Sequence, residues 1–140
     1  MTRLHFAALL VRALGLKSQA AGVVFADQSD IPAWATGEVA AAIGAGILTG
    51  YEDNSLRPNQ FINRAEMVTM LLRAYKMNSG KPTASTFSDS SEIPEWAQSS
   101  VTEAASLGLV DGRENNRFAP NATATRAEAL TVLMRMLERK

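Results

Sequence analysis

Three arginines share one local setting and are the residues best placed to do chemistry. Each stands second in a tetrapeptide: Thr2-Arg3-Leu4-His5, Asn63-Arg64-Ala65-Glu66 and Thr125-Arg126-Ala127-Glu128. The outer pair, Thr or Asn followed three residues later by Glu, is a capping box. Its first side chain accepts from the amide of the fourth residue, and the Glu reaches back to the amide of the first. Asn63, Glu66, Thr125 and Glu128 are therefore read as helix caps, and His5 in place of Glu weakens the cap of the remaining copy. The arginine then falls on the first helical residue, the positive end of the dipole, where a cation costs about 0.3–1 kcal/mol. One chemistry gives that placement a purpose: free amides and a forked guanidinium converge on an anion such as a carboxylate. The bland counterpart is an ion pair with a carboxylate of a neighbouring segment.

Other chemistries find little support. The chain has no cysteine and one histidine, His5, which removes thiolate metal sites and makes a multi-histidine site or a histidine relay improbable. No nucleophile sits with a base, and no glycine-rich loop is built to cradle phosphate. The Glu52-Asp53-Asn54 turn lacks the alternating ligands and closing Glu of an EF-hand, and Asp53 corresponds to Asn115 in the other copy. The chain is thus expected not to be an enzyme and to hold neither cofactor nor metal. Fourteen basic and fourteen acidic residues cancel, so no broad field draws it to nucleic acid or anionic lipid, and any anion must be held by a local cluster. No apolar run is long enough to span a bilayer.

The elements that position these arginines come from an internal repeat of about 62 residues. Phe25 falls on Phe87, Asp27 on Asp89, Ile31-Pro32 on Ile93-Pro94 and Trp34-Ala35 on Trp96-Ala97. Gly46, Gly50, Pro58-Asn59 and Arg64-Ala65-Glu66 fall on Gly108, Gly112, Pro120-Asn121 and Arg126-Ala127-Glu128 without a gap. A partial copy places Arg3 on Arg64, Leu10 on Leu71 and Arg12 on Arg73. The chain therefore divides into residues 1–16, the second half of a first repeat, and two complete repeats over 25–78 and 87–140, together one domain. Connectors around Lys17–Gly22 and Asn78–Thr86 are small and polar and are read as linkers.

Each complete repeat reads as helix, loop, helix. Ile31 precedes a proline and should be extended, while Pro32 suits the first turn of a helix. Ala35, Val39, Ala42 and Ile43 then form a helical stripe that ends near Gly46. A polar turn follows Gly50, and Pro58 forbids helix. The second helix opens at Asn63 or Thr125, with stripes at Met67, Met70, Leu71, Ala74 and at Ala129, Val132, Leu133, Met136. Phe6, Leu9, Leu10 and Ala13 repeat the stripe in the partial copy, so three copies share the i, i+3, i+4, i+7 spacing of an amphipathic helix. Two short helices enclose no core alone, so repeats must pack on one another. The fold is expected to be all-α.

Arg12, Arg73 and Arg135 recur near helix C-termini, where a cation is favoured, and are read as structural. Trp34 and Trp96 lie at the edge of their stripes. The commoner fate of such a residue is to seal a core, the other to floor a sugar-binding groove by stacking on a pyranose. Asp27 and Asp89 are expected to cap or bridge locally. Residues 1–26 imitate a secretory signal, but Arg12 interrupts the apolar stretch and Phe25-Ala26-Asp27 recurs as Phe87-Ser88-Asp89, so this segment reads as repeat.

The order Phe-x-Asp, Ile-Pro-x-Trp-Ala, Gly-(Ile/Leu)-x-x-Gly, Pro-Asn, then (Asn/Thr)-Arg-Ala-Glu at a helix start resembles the S-layer homology repeat over nearly the whole chain. The resemblance implies a three-pronged, pseudo-threefold helical spindle, here incomplete, that anchors surface-layer proteins and exported enzymes to secondary cell-wall polysaccharide carrying ketal-linked pyruvate. It assigns the key contact to the arginine of the motif, here Arg3, Arg64 and Arg126. It also places grooves between repeats, with Gly46–Gly50 or Gly108–Gly112 of the neighbouring copy as the opposite wall and Trp34 and Trp96 as candidate sugar contacts. The expected partner is cell-wall polysaccharide at the cell surface, with the export signal outside this chain and with neither nucleic acid nor membrane as partner. The first repeat lacks its first helix, so further copies of the chain are expected to complete it, or one groove to be crippled. The rival reading is an oligomerisation module whose arginines pair with carboxylates between copies.

Overall fold

The computed structural model describes residues 1–17, 25–75 and 87–139, and most of both expected linkers lies outside them. Five α-helices carry the described chain: α1 Arg3–Ala13, α2 Thr36–Gly44, α3 Arg64–Tyr75, α4 Glu95–Ser106 and α5 Arg126–Arg139. Among the described residues there are no strands, only isolated antiparallel bridges, and the fold is all-α.

The arginine helices start where the capping pattern puts them. In α3 Asn63 Oδ1 accepts from the Glu66 amide at 2.8 Å, and Glu66 Oε1 accepts from the Asn63 amide at 3.3 Å. Thr125 and Glu128 make the same reciprocal pair ahead of α5, at 3.0 and 3.1 Å. Thr2 accepts from the His5 amide at 3.1 Å, one half of the box.

The other helices start later than expected. Pro32 and Pro94 precede the helical turns instead of occupying the first one, with ψ of 151° and 146°. The Pro32 carbonyl accepts from Ala35 at 3.0 Å within a 3-10 turn, and that of Pro94 from Ala97 at 2.9 Å, which starts α4 directly. Both helices close on a left-handed glycine. Gly46 has φ +77° and Gly108 φ +74°, and the next residue reaches back, Ile47 to the Ala42 carbonyl and Leu109 to that of Ala104, each at 2.9 Å. This is a Schellman closure, which glycine enters without a Cβ penalty.

Compact packing does not follow the sequence repeat. One unit is Met1–Ile62 and the other Asn63–Lys140. In the first α1 packs on α2; in the second α3 packs on α4 and also touches α5. Each unit thus joins the second helix of one repeat to the first helix and loop of the next. Backbone bonds fasten that join. Arg3 and Leu4 donate to the Gln60 and Pro58 carbonyls at 2.9 and 3.1 Å, and Ile62 donates back to Met1 at 3.0 Å. In the second unit Arg64 and Ala65 donate to Ala122 and Pro120 at 3.0 and 3.1 Å.

Phe6, Leu10, Ile47, Leu48 and Leu56 form the buried heart of the first unit; Met67, Leu71, Leu109, Phe118 and Met136 form that of the second. Each such side chain removed from water contributes roughly 1.5–3 kcal/mol.

Candidate functional site

The Phe-x-Asp segment builds the loop that faces each arginine. Its phenylalanine lies so close under the second glycine of the loop that a Cβ on Gly50 would stand 2.8 Å from Phe25 Cε1, and one on Gly112 2.7 Å from Phe87 Cε1. Against the sequence expectation, its aspartate does not cap or bridge locally; it braces backbone 29 and 30 residues further along the chain. Asp27 accepts from the Leu56 and Arg57 amides at 2.9 and 2.8 Å, and Asp89 from the Phe118 and Ala119 amides at 2.8 Å each. Burial pushes the Asp89 carboxyl up, but the two donated amides outweigh it and hold the group below its ordinary range. The same balance lowers Asp27. These bonds hold Arg57 and Ala119 in left-handed backbone at φ 55° and 59°, a conformation that costs a non-glycine residue about 1–2 kcal/mol.

The bent loop then offers carbonyls to the arginine. Arg64 Nε donates to the Phe118 carbonyl and Nη2 to that of Asp111, both at 2.8 Å, with the guanidinium 4.9 Å from the centre of the Phe118 ring. Its Nη1 pairs with the Glu128 carboxylate on α5. The side chain is buried, and desolvation, helped by the nearby Arg113 charge, pushes its pKa down to about 10. Arg3 repeats the arrangement more loosely, donating to the Leu56 and Thr49 carbonyls at 3.3 Å each and lying 4.7 Å from the centre of the Tyr51 ring.

Neither arginine end therefore presents bare donors. In α3 the Arg64 and Ala65 amides are spent on the loop and that of Glu66 on the cap. Arg126 is different: it is exposed, and among the described residues no loop carbonyl faces it.

An open groove lies beside Arg64. It measures about 380 Å³ and is walled by Arg64 and Met67 of α3, by the 110–113 segment, and by Ala127 to Arg135 of α5. Glu128 spans two guanidiniums across it, Arg64 and Arg113, the latter at 2.8 Å. Arg135 pairs with Asp111 at 2.9 Å. With the apolar surface of Met67, Val110 and Val132 beneath, the groove offers three guanidiniums against two carboxylates.

The structure brings Arg64, Glu128 and the loop after Gly108 together, while Gly108 itself serves as the helix closure. Asn63, Glu66 and Thr125 sit in their capping pairs. The tryptophans do not seal a core: Trp34 is 52% and Trp96 56% exposed. Each follows a proline in the entry to its helix, and Ala35 and Ala97 beside them turn inward instead. Trp34 stacks on His5 at 6.4 Å between ring centres, with the Arg12 guanidinium 5.8 Å from its ring.

The family model of the S-layer homology domain matches residues 24–68 and 86–130. The chain belongs to the S-layer homology family. It is 40% identical over 146 residues, 99% of its length, to an amylopullulanase of Thermoanaerobacterium thermosulfurigenes, of which it covers 8%. It is 30% identical over 141 residues to the surface-layer 125 kDa protein of Lysinibacillus sphaericus, covering 99% of this chain and 12% of that protein. With the cellulosome-anchoring protein of Acetivibrio thermocellus the identity is 27% over 147 residues, 99% of this chain and 32% of that protein. The chain thus spans at most about a third of these relatives.

Sequence reasoning missed Arg113 and Asp111, two groove residues of this S-layer homology pair. They replace Tyr51 and Thr49 of the preceding copy, and attention to what recurs passes over what varies. Positions that change charge inside an otherwise constant loop were the available signal.

Proposed function

We propose that this chain attaches a larger protein to bacterial cell-wall polysaccharide at the cell surface, taking an acidic sugar substituent, a ketal-linked pyruvate, into the groove beside Arg64. The supporting observation is that a carboxylate already sits there. Glu128 lies between the guanidiniums of Arg64 and Arg113, an arrangement that supports the seating of a planar anion. A pyruvyl carboxylate would take over that seat while its sugar ring covers the apolar floor, in a space at the lower end of those that hold small ligands. Catalysis has no part in this reading, and the enzymes among the relatives are proteins many times longer than their matched segment. The names of the surface-layer and cellulosome-anchoring relatives point the same way.

Arg64→Ala is a poor probe, because Arg64 also ties the loop. Arg113 is 41% exposed and makes the better test. Arg113→Gln should weaken co-sedimentation with purified wall by about tenfold, the loss of roughly one charge-assisted bond, with helicity unchanged. Chemical removal of pyruvate from the wall should weaken the unaltered protein at least as much. Equal binding to treated and untreated wall would sink the pyruvate assignment. No sedimentation with either would sink anchoring itself and leave assembly as the role.

A further inference from the structure

Glu128 holds two posts at once. It closes the capping box of α5, where Oε1 accepts from the Thr125 amide at 3.1 Å. The same oxygen accepts from Arg113 Nη2 at 2.8 Å, and Oε2 pairs with Arg64 Nη1. A capping box needs only the first of these contacts. The two guanidiniums are therefore held beyond what the cap requires.

Arg64 explains why a carboxylate is drawn there. Its side chain is buried, and Nε and Nη2 already donate to the Phe118 and Asp111 carbonyls, which leaves the charge itself to be balanced. A buried guanidinium without an anion is costly. Glu128 supplies the anion from the groove side, where its carboxylate is 23% and Arg113 41% exposed, so both can be reached from solvent. An incoming carboxylate has the charge of Glu128 and the same planar match to a guanidinium fork. Two carboxylates cannot share the seat, because like charges side by side repel. Glu128 has somewhere else to go: the Thr125 amide and the positive end of α5 hold it after release.

We infer that Glu128 is an internal competitor, filling the seat between Arg64 and Arg113 until a ligand carboxylate displaces it, and so setting both the affinity and the selectivity of the groove. The inference rests on the anchoring reading above. A carboxylate takes the seat with no change in its charge, whereas a neutral saccharide leaves Arg64 unbalanced if Glu128 moves. Neutralising Glu128 thus strengthens binding, the reverse of what loss of a contact residue does.

Glu128→Gln is the direct test, because Gln serves the capping box equally while lacking the charge. Co-sedimentation of the full chain with purified wall should tighten about fivefold or more, with no gain on wall stripped of pyruvate. Glu128→Asp keeps the charge on a side chain one methylene shorter and should tighten binding less; it carries the test if Glu128→Gln loses helicity. Arg113→Gln should weaken binding more in the Glu128→Gln background than alone, since alone it also disarms the competitor. Equal or weaker binding by folded Glu128→Gln, with the original chain bound, would overturn the inference and spare the anchoring reading. An equal gain on both walls would overturn it too, since net charge alone would then be at work. If neither chain sediments with either wall, anchoring and competition fall together.

Discussion

The two compact units use one scaffold with different tightness. In the second unit Arg64 makes bonds of 2.8 Å to two carbonyls; in the first Arg3 makes bonds of 3.3 Å to the matching carbonyls. The residue after the second loop glycine decides what else is present. Tyr51 in the first unit lies against two guanidiniums, Arg3 and Arg57, at 4.7 and 3.8 Å from its ring centre. Arg113 in the second reaches out to Glu128. The frame that latches the arginine is thus constant, and the wall beside it is free to change chemistry. That separation lets the wall vary between repeats without loss of the latch.

Truncating the two arginines tests this most severely. Arg64→Ala should destabilise the second unit by about 3–5 kcal/mol, since Glu128 and two carbonyls lose a buried partner. Arg3→Ala should cost the first less, because its bonds to the matching carbonyls are longer, at 3.3 Å each. Each unit holds one exposed tryptophan, so denaturation followed by fluorescence in Trp34→Phe and Trp96→Phe backgrounds reads them separately. Equal losses would erase the contrast.

The aspartate braces come next. Asp89 is 5% exposed and Asp27 half-buried, so Asp89→Ala should cost about 2–3 kcal/mol and Asp27→Ala about 1–2 kcal/mol by denaturation. Both carboxyls sit below their ordinary value of 3.8. Their contribution is therefore complete above that pH and is lost as pH falls below it through the folded-state value. Asp89→Asn should flatten the acid limb of a stability–pH curve there and leave neutral pH dependence untouched.

Smaller effects belong to the loop. Gly112→Ala would press on Phe87 at 2.7 Å and the Arg117 carbonyl at 3.2 Å, and Gly50→Ala on Phe25 at 2.8 Å and the Ser55 carbonyl at 3.4 Å. A loss of about 1–3 kcal/mol is expected, larger at Gly112, read as a drop in melting temperature. Ala119→Gly should raise stability by at most about 1 kcal/mol, because relief of left-handed strain is offset by the entropy of glycine. A loss there would mean that the Ala119 methyl packs more than it strains.

Much of this was legible in the sequence. Apolar spacing fixed the arginine helices, and Asn63-x-x-Glu66 and Thr125-x-x-Glu128 marked their starts because capping is local. Gly46 and Gly108 announced the ends of the preceding helices for the same reason. What stayed hidden is non-local. Self-similarity groups residues by copy and is silent on which copy packs on which, so the pairing of α1 with α2 and of α3 with α4 did not show. Nor did the fate of the Arg64 and Ala65 amides, which depends on carbonyls more than fifty residues away. The tryptophans lie at a stripe edge, where periodicity alone does not choose between inside and outside.

The bridge that closes the first unit also governs how it would bear load. Residues 2 and 61 run antiparallel, so the chain enters and leaves at the same end of that contact. Tension applied at Met1 and Ile62 would meet its few hydrogen bonds in series, peeling the amide of Ile62 from Met1 first and that of Arg3 from Gln60 next. Such an unzipping geometry yields at lower force than one sheared lengthwise. A unit that gave way completely would release roughly 200 Å of chain, a built-in shock absorber.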